Sequence, residues 1–188
     1  MARIDYKNDV TRALEEAEGS DGRLNVSSRA DNRAYYNSRD KAQCYAITYE
    51  HSAAADGEYS FYLQNTSTDK TLVVSAVGVN ADNIARLKLH FVTGTATNGT
   101  ARVPRNLNSD SANDAAASTA LHDGGGTTIG GLTVSGIPID DIRMGANDHR
   151  ELRLTDRVRL GQNDAIALEM DTGTSTPLVH GVVFFYYE

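Results

Sequence analysis

The sequence predicts an all-β protein: an antiparallel β-sandwich of jelly-roll-like topology, preceded by an N-terminal arm that contains one short helix. Three observations carry this expectation. Beyond Ala42 the chain consists of short β-branched and aromatic runs separated by Gly, Asn, Asp and Ser, the texture of strands and turns. Several of these runs alternate apolar and polar residues with period two. No helical pattern lies between them, so the strands pair antiparallel rather than through helical crossovers. At 188 residues, 40% hydrophobic and 23% charged, the chain fits one domain with an appendage, drawn here as an arm over 1–42 and a sandwich over 43–188.

The arm comes first. Within Asp9 to Glu18, Val10, Ala13, Leu14 and Ala17 recur at i, i+3, i+4 and i+7, which predicts a short amphipathic helix capped by Asp9. From Gly19 to Lys41 that periodicity is lost, and Leu24, Val26, Tyr35 and Tyr36 are the main apolar points of an extended segment. The arm holds eight basic and eight acidic residues, so the remaining residues carry the whole net charge of −7.

Strands are predicted at Cys44 to Glu50, Glu58 to Gln64, Thr71 to Val79 and Ala85 to Val92, then at Leu132 to Val134, Asp141 to Met144, Arg150 to Arg159, Ala165 to Asp171 and Leu178 to Tyr187. In the fourth, Leu87, Leu89 and Phe91 oppose Arg86, Lys88 and His90; in the seventh, Leu152, Leu154, Val158 and Leu160 oppose Arg153, Arg157 and Arg159. The last run, Val182 to Tyr187, is apolar on both faces. It is therefore a central strand, or it buries its second face against another copy through Phe184, Phe185, Tyr186 and Tyr187. Between Thr93 and Gly131 the rhythm breaks into a long stretch rich in Thr, Asn, Gly, Ala and Asp, where Asp114 to Leu121 fits either one turn of helix or an edge strand.

Chemistry is sparse. Gly124 to Gly131 has the glycines of a phosphate-binding loop but neither its lysine nor a following helix. The histidines His51, His90, His122, His149 and His180 form no His-x-His or His-x-x-x-His pair, and no metal or other cofactor is expected. Cys44, the single cysteine, lies in an apolar strand where a buried inert thiol is the usual outcome. Asp140, Asp141, Asp164 and Glu169 are the carboxylates available for glycoside chemistry, without spacing that places them in one cleft. The sequons at Asn25, Asn65 and Asn98 are read as chance matches, because no secretory signal is recognised. An acidic chain does not suit nucleic-acid binding, and no apolar run approaches the roughly 18 to 20 residues of a bilayer span. The chain is accordingly expected not to be an enzyme and to bind neither nucleic acid nor membrane.

Three segments of the second half, about Val103 to Asn108 with Asn113 to Ala117, Leu152 to Leu160, and Asp164 to Glu169 with Thr172 to Thr174 before the terminal strand, resemble tailed-bacteriophage capsid decoration or cement proteins. The resemblance implies a non-enzymatic virion protein on the outer capsid surface, assembled in the host cytoplasm and bridging adjacent copies of the major capsid protein. The arm, which lies outside the resemblance, suits capsid attachment through Arg29, Arg33, Tyr35, Tyr36 and Arg39, and closed symmetry makes a homotrimer or homodimer the expected form. The alternative is a tail or spike binding module that recognises a host glycan through the Thr93 to Gly131 stretch.

Overall fold

In the computed structural model the described residues are 5–7, 14–16, 37–38, 41–52, 55–122, 128–171 and 177–188. The chain divides into two compact units, Met1–Asn32 and Arg33–Glu188. In the first, β1 (Asp5–Lys7) pairs antiparallel with β2 (Leu14–Glu16). The helix expected over Asp9 to Glu18 is thereby corrected, since Leu14–Glu16 is extended. A helix of about ten residues is marginal without a partner surface, and a cross-strand ladder satisfies the same backbone groups. The other residues of that predicted helix lie outside the described ones.

The second unit is the all-β sandwich. Its strands are β3 (Cys44–Ser52), β4 (Glu58–Asn65), β5 (Leu72–Ala81), β6 (Ala85–Thr93), β7 (Arg105–Asn106), β8 (Ala117–Leu121), β9 (Thr133–Val134), β10 (Asp140–Met144), β11 (Asp148–Leu160), β12 (Ala165–Asp171) and β13 (Leu178–Tyr187). One sheet has the order β11-β5-β13-β3-β7 and the other β10-β6-β12-β4-β8, with β9 also paired to β6. The antiparallel pairs β3 with β13, β4 with β12, β5 with β11 and β6 with β10 are those of one long hairpin folded over on itself, with successive pairs falling in opposite sheets. That is jelly-roll topology. Within Asp114 to Leu121, the residues Ala117–Leu121 form the edge strand β8.

The inner faces share one core. It includes Tyr45, Ile47 and Tyr49 of β3, Phe61 and Leu63 of β4, Leu87 and Leu89 of β6, Ile166, Leu168 and Met170 of β12, and Val183, Phe185 and Tyr187 of β13. Leu152, Leu154, Val158 and Leu160 enter it from β11 as the alternation predicts. Phe91, aligned with Leu87 and Leu89, falls beyond the packed region and is 39% exposed. A second apolar layer forms where Ile129 of the long stretch and Leu132 and Val134 at β9 cover Tyr62, Val92, Ala165 and Ala167 on the outer face of β4, β6 and β12.

The strand β13 is central, between β5 and β3, the first of the two options its sequence left open. Phe185 and Tyr187 fill the core, and Tyr186 packs with Cys44 and Val73 on the opposite face; all three are buried within the protomer, and Phe184 is half-buried. The expectation that this run offers an association face is corrected for those three residues, because their side chains are already buried within the protomer.

Two bulges set which residues point inward. In β5 the register breaks at Ser75 against both β13 and β11, so the core set changes parity from Leu72 and Val74 to Val77, Val79 and Ala81. The Ser75 hydroxyl donates to the Phe184 carbonyl oxygen at 3.1 Å. In β4 the register against β12 skips Ser60, pairing Phe61 with Leu168 but Tyr59 with Glu169 and Glu58 with Met170. Glu58 therefore turns to the inner face that Met170 occupies, and Tyr59 turns outward.

Close approach explains one glycine. Tyr49 lies across Gly181, its partner on β13, and donates to the Gly78 carbonyl oxygen at 3.1 Å. A Cβ at position 181 would overlap that carbonyl oxygen and stand 2.6 Å from the Tyr49 hydroxyl. Gly181→Ala is expected to destabilise the sandwich by about 2 kcal/mol or more, the upper part of the overpacking range, measured by urea unfolding.

Candidate functional site

The Ser60 bulge creates the most unusual group in the interior. His51, at the end of β3, shares the inner face with Tyr49; Glu58 faces it from the start of β4; His122 follows β8, where its backbone N–H donates to the Ser60 carbonyl oxygen at 3.2 Å. His51 is fully buried, His122 is 5% exposed, and the Glu58 side chain is 12% exposed. The two imidazole rings stack with centroids 3.8 Å apart and planes 29° from parallel.

Each ring nitrogen of His51 has a neighbour. Nδ1 is 3.0 Å from Ser60 Oγ, and Nε2 is 3.3 Å from Glu58 Oε2. Because a hydroxyl both donates and accepts, Ser60 serves either neutral tautomer of His51. Glu58 uses its other oxygen, Oε1, to accept from the Thr128 hydroxyl at 3.3 Å. Burial, reinforced by the neighbouring His122 ring and opposed by Glu58, pushes the His51 pKa down to about 4. The ring is neutral near pH 7, with a lone pair available.

Next to this group an open cleft of about 490 Å³ lies largely on the outer face of the β3-β13-β5-β11 sheet. The register aligns Glu50, His180, Asn80 and His149 in one cross-strand row along it. His149 Nδ1 is 2.8 Å from Asn80 Oδ1. A second row runs from Thr48 through Val182 to Gly78, whose missing side chain deepens the floor, and Arg102 and His122 add to the lining. His122 therefore belongs to both the cleft and the buried cluster.

The carboxylates considered for catalysis do not converge. Asp141 forms a two-pronged pair with Arg86, which holds its carboxyl below the usual range. Asp140 accepts from the Asp141 backbone N–H at 2.8 Å, and Asp164 accepts from the Gly161 N–H at 2.9 Å in the turn between β11 and β12. Glu169 lies on the outer face of β12 with His90 Nε2 at 3.0 Å and Lys88 Nζ at 3.9 Å, within a charged network that also joins Asp171 to Lys88 and Arg86. Asn65 of the second sequon is fully buried, its amide donating to the carbonyl oxygens of Lys70 and Leu160. The arm residues Arg29, Arg33, Tyr35, Tyr36 and Arg39 lie outside the described residues.

No motif announced the meeting of His51, Glu58 and His122. His51 and Glu58 flank the crossover from one sheet to the other, whereas His122 arrives from the far end of β8. The only local signal was a polar pair, His51 and Glu58, at the facing ends of two consecutive strands.

Two measurements check these environments. A folded-state pKa below the unfolded value means that only the unfolded chain takes up the proton as pH falls, so His51 supports full stability above its ordinary 6.5 and loses it on the way to about 4. The loss is roughly 3 kcal/mol, visible as a pH-dependent fall in urea stability that His51→Gln removes. Burial likewise pushes the Cys44 thiol up to about 11. Cys44 is expected to react with a disulfide reagent at the rate of unfolding, and fast modification under native conditions would contradict its placement. Comparison with known proteins finds no protein family whose model matches this chain, and no curated protein or solved structure that matches it.

Proposed function

We propose that this protein is a non-enzymatic structural component of a tailed-phage head, which sits on the outer capsid surface and reinforces the shell by bridging adjacent copies of the major capsid protein. The observation that carries the proposal is the division of the chain into Met1–Asn32 and Arg33–Glu188, the second of which closes its own apolar core. A body with its own closed core leaves the arm over 1–42, with its balanced charges and few large apolar residues, available to make attachments. Repetition over a lattice then multiplies a modest affinity per copy. The segments resembling decoration proteins support the same role, and jelly rolls serve in capsids and in lectins alike.

Self-association as a closed trimer or dimer belongs to the proposal, through surfaces other than the buried residues of β13. The acidic balance of the sandwich favours the outside of a shell over a DNA-filled interior.

The test removes the whole arm, residues 1–42, verifies by circular dichroism that the sandwich is intact, and measures co-sedimentation with purified shells. A loss of occupancy of about tenfold or more is expected. Undiminished occupancy by a folded truncated chain overturns the attachment role. Hundreds of copies per virion fit decoration, whereas a handful places the protein at a tail or spike and favours glycan recognition.

A further inference from the structure

We propose that His51, Glu58 and His122 form a binding site for one divalent metal ion of the zinc type, which staples the two sheets together at one end of the sandwich. The three side chains offer two imidazole nitrogens and a carboxylate oxygen, all within 4.8 Å of one another. A tetrahedral ion with ligand bonds near 2.1 Å needs donor atoms about 3.4 Å apart, so rotations of the side chains by an ångström or so close the set. Parting the stacked rings is part of that motion.

Four features beyond proximity point to a metal. The donor set, two histidines and one carboxylate, is one that zinc accepts with a fourth position left for water or another ligand. For two of the three ligands the atom not offered to the ion is already held: Ser60 Oγ stands at His51 Nδ1, and the Thr128 hydroxyl donates to Glu58 Oε1. Partners of this kind fix the tautomer and orientation of metal ligands. The site is also interior yet reachable, because His122 lines the open cleft as well. Finally, the ligands come from elements that an ion would join: β3 in one sheet, and β4 and the end of β8 in the other.

Binding would move the His51 proton to Nδ1, where Ser60 accepts it, and free Nε2 for the ion. No net proton leaves a neutral ring in that exchange. The ion would replace the 3.3 Å contact between Nε2 and Glu58 with two bonds to itself. Its effect is structural, bracing the crossover from β3 to β4.

The test uses the untagged full chain, stripped with a chelator and titrated with zinc(II) and, separately, with cobalt(II). One equivalent of zinc is expected to bind with a dissociation constant below about 1 µM, and cobalt is expected to give the intense visible bands of a four-coordinate site. Zinc in hundredfold excess over that constant should raise Tm by about 5–10 °C. Glu58→Gln and His122→Asn should each weaken zinc binding at least about 100-fold, and Ser60→Ala, which removes a positioning residue, about 10-fold or more. His149→Asn and His180→Asn alter the exposed histidines of the cleft and should leave the affinity within about twofold. Circular dichroism verifies that each variant is folded. Where a variant fails to fold, the wild-type cobalt spectrum decides: four-coordinate bands at one equivalent support the site, and a six-coordinate, water-like spectrum overturns it. Absence of tight binding, affinity unmoved in folded Glu58→Gln and His122→Asn, or binding abolished by His149→Asn also overturns it.

Discussion

Side-chain parity is the constraint on which this sandwich depends. A strand presents alternate residues to its two faces, so a one-residue slip would move its whole apolar set to the wrong side. Most of the strands satisfy this with plain alternation. Two of them do not, and in both a serine absorbs the extra residue. Ser75 lets β5 supply Leu72 and Val74 from one phase of its sequence and Val77, Val79 and Ala81 from the other. Ser60 does the same in β4, with a different result: the phase it switches is polar, and Glu58 is delivered into the interior. The same local device that completes the core in one sheet interrupts it in the other.

This explains which parts of the structure were legible in the sequence. The alternation of Leu87 and Leu89, or of Leu152 to Leu160, is a property of consecutive residues, and the strands that carry it were recognisable. The doubly apolar β13 showed for the same reason that both its faces would be covered, which left a central position as one of two options. A bulge, in contrast, is decided between strands: nothing distinguishes Ser60 or Ser75 from an ordinary strand serine until the partner's register is known. Glu58 and Tyr59 consequently read with their faces exchanged. The histidine cluster was illegible on two counts, since it requires both that exchange and the placement of β8 beside β4. The helix predicted near Leu14 failed differently, because periodicity shows which face would be buried and not that any surface is present to bury it.

The two outer faces have diverged. On one sheet the row from Glu50 to His149 stays open and polar around the missing side chain of Gly78. On the other, the long stretch folds back over Tyr62, Ala165 and Ala167, and beyond that cover lies the network of Arg86, Lys88, Glu169 and Asp171. These exposed pairs contribute little to stability individually. They do favour one register of β6 against β12 and β10, since opposite charges stand directly across from each other in Lys88 with Glu169 and in Lys88 with Asp141.

Set against that economy, the group of His51, Glu58 and His122 is the part of the interior that packing alone does not account for. Apolar side chains of similar volume at the three positions would avoid the desolvation of a carboxylate and two imidazoles, and such replacements are commonly neutral or stabilising. Proximity to the surface does not explain the choice, because His51 is fully enclosed. Nor does fold specificity require it, since the register of β3 is already set by Tyr45, Ile47 and Tyr49 in the core. What the polar set provides, and an apolar one does not, is a cluster of nitrogen and oxygen donors in which Ser60 positions His51 and Thr128 positions Glu58. A sandwich gains most from a link at the crossover between its sheets, where no backbone ladder connects them. Directional bonds from an ion can supply that link, whereas further apolar contact there would resist separation without fixing the angle.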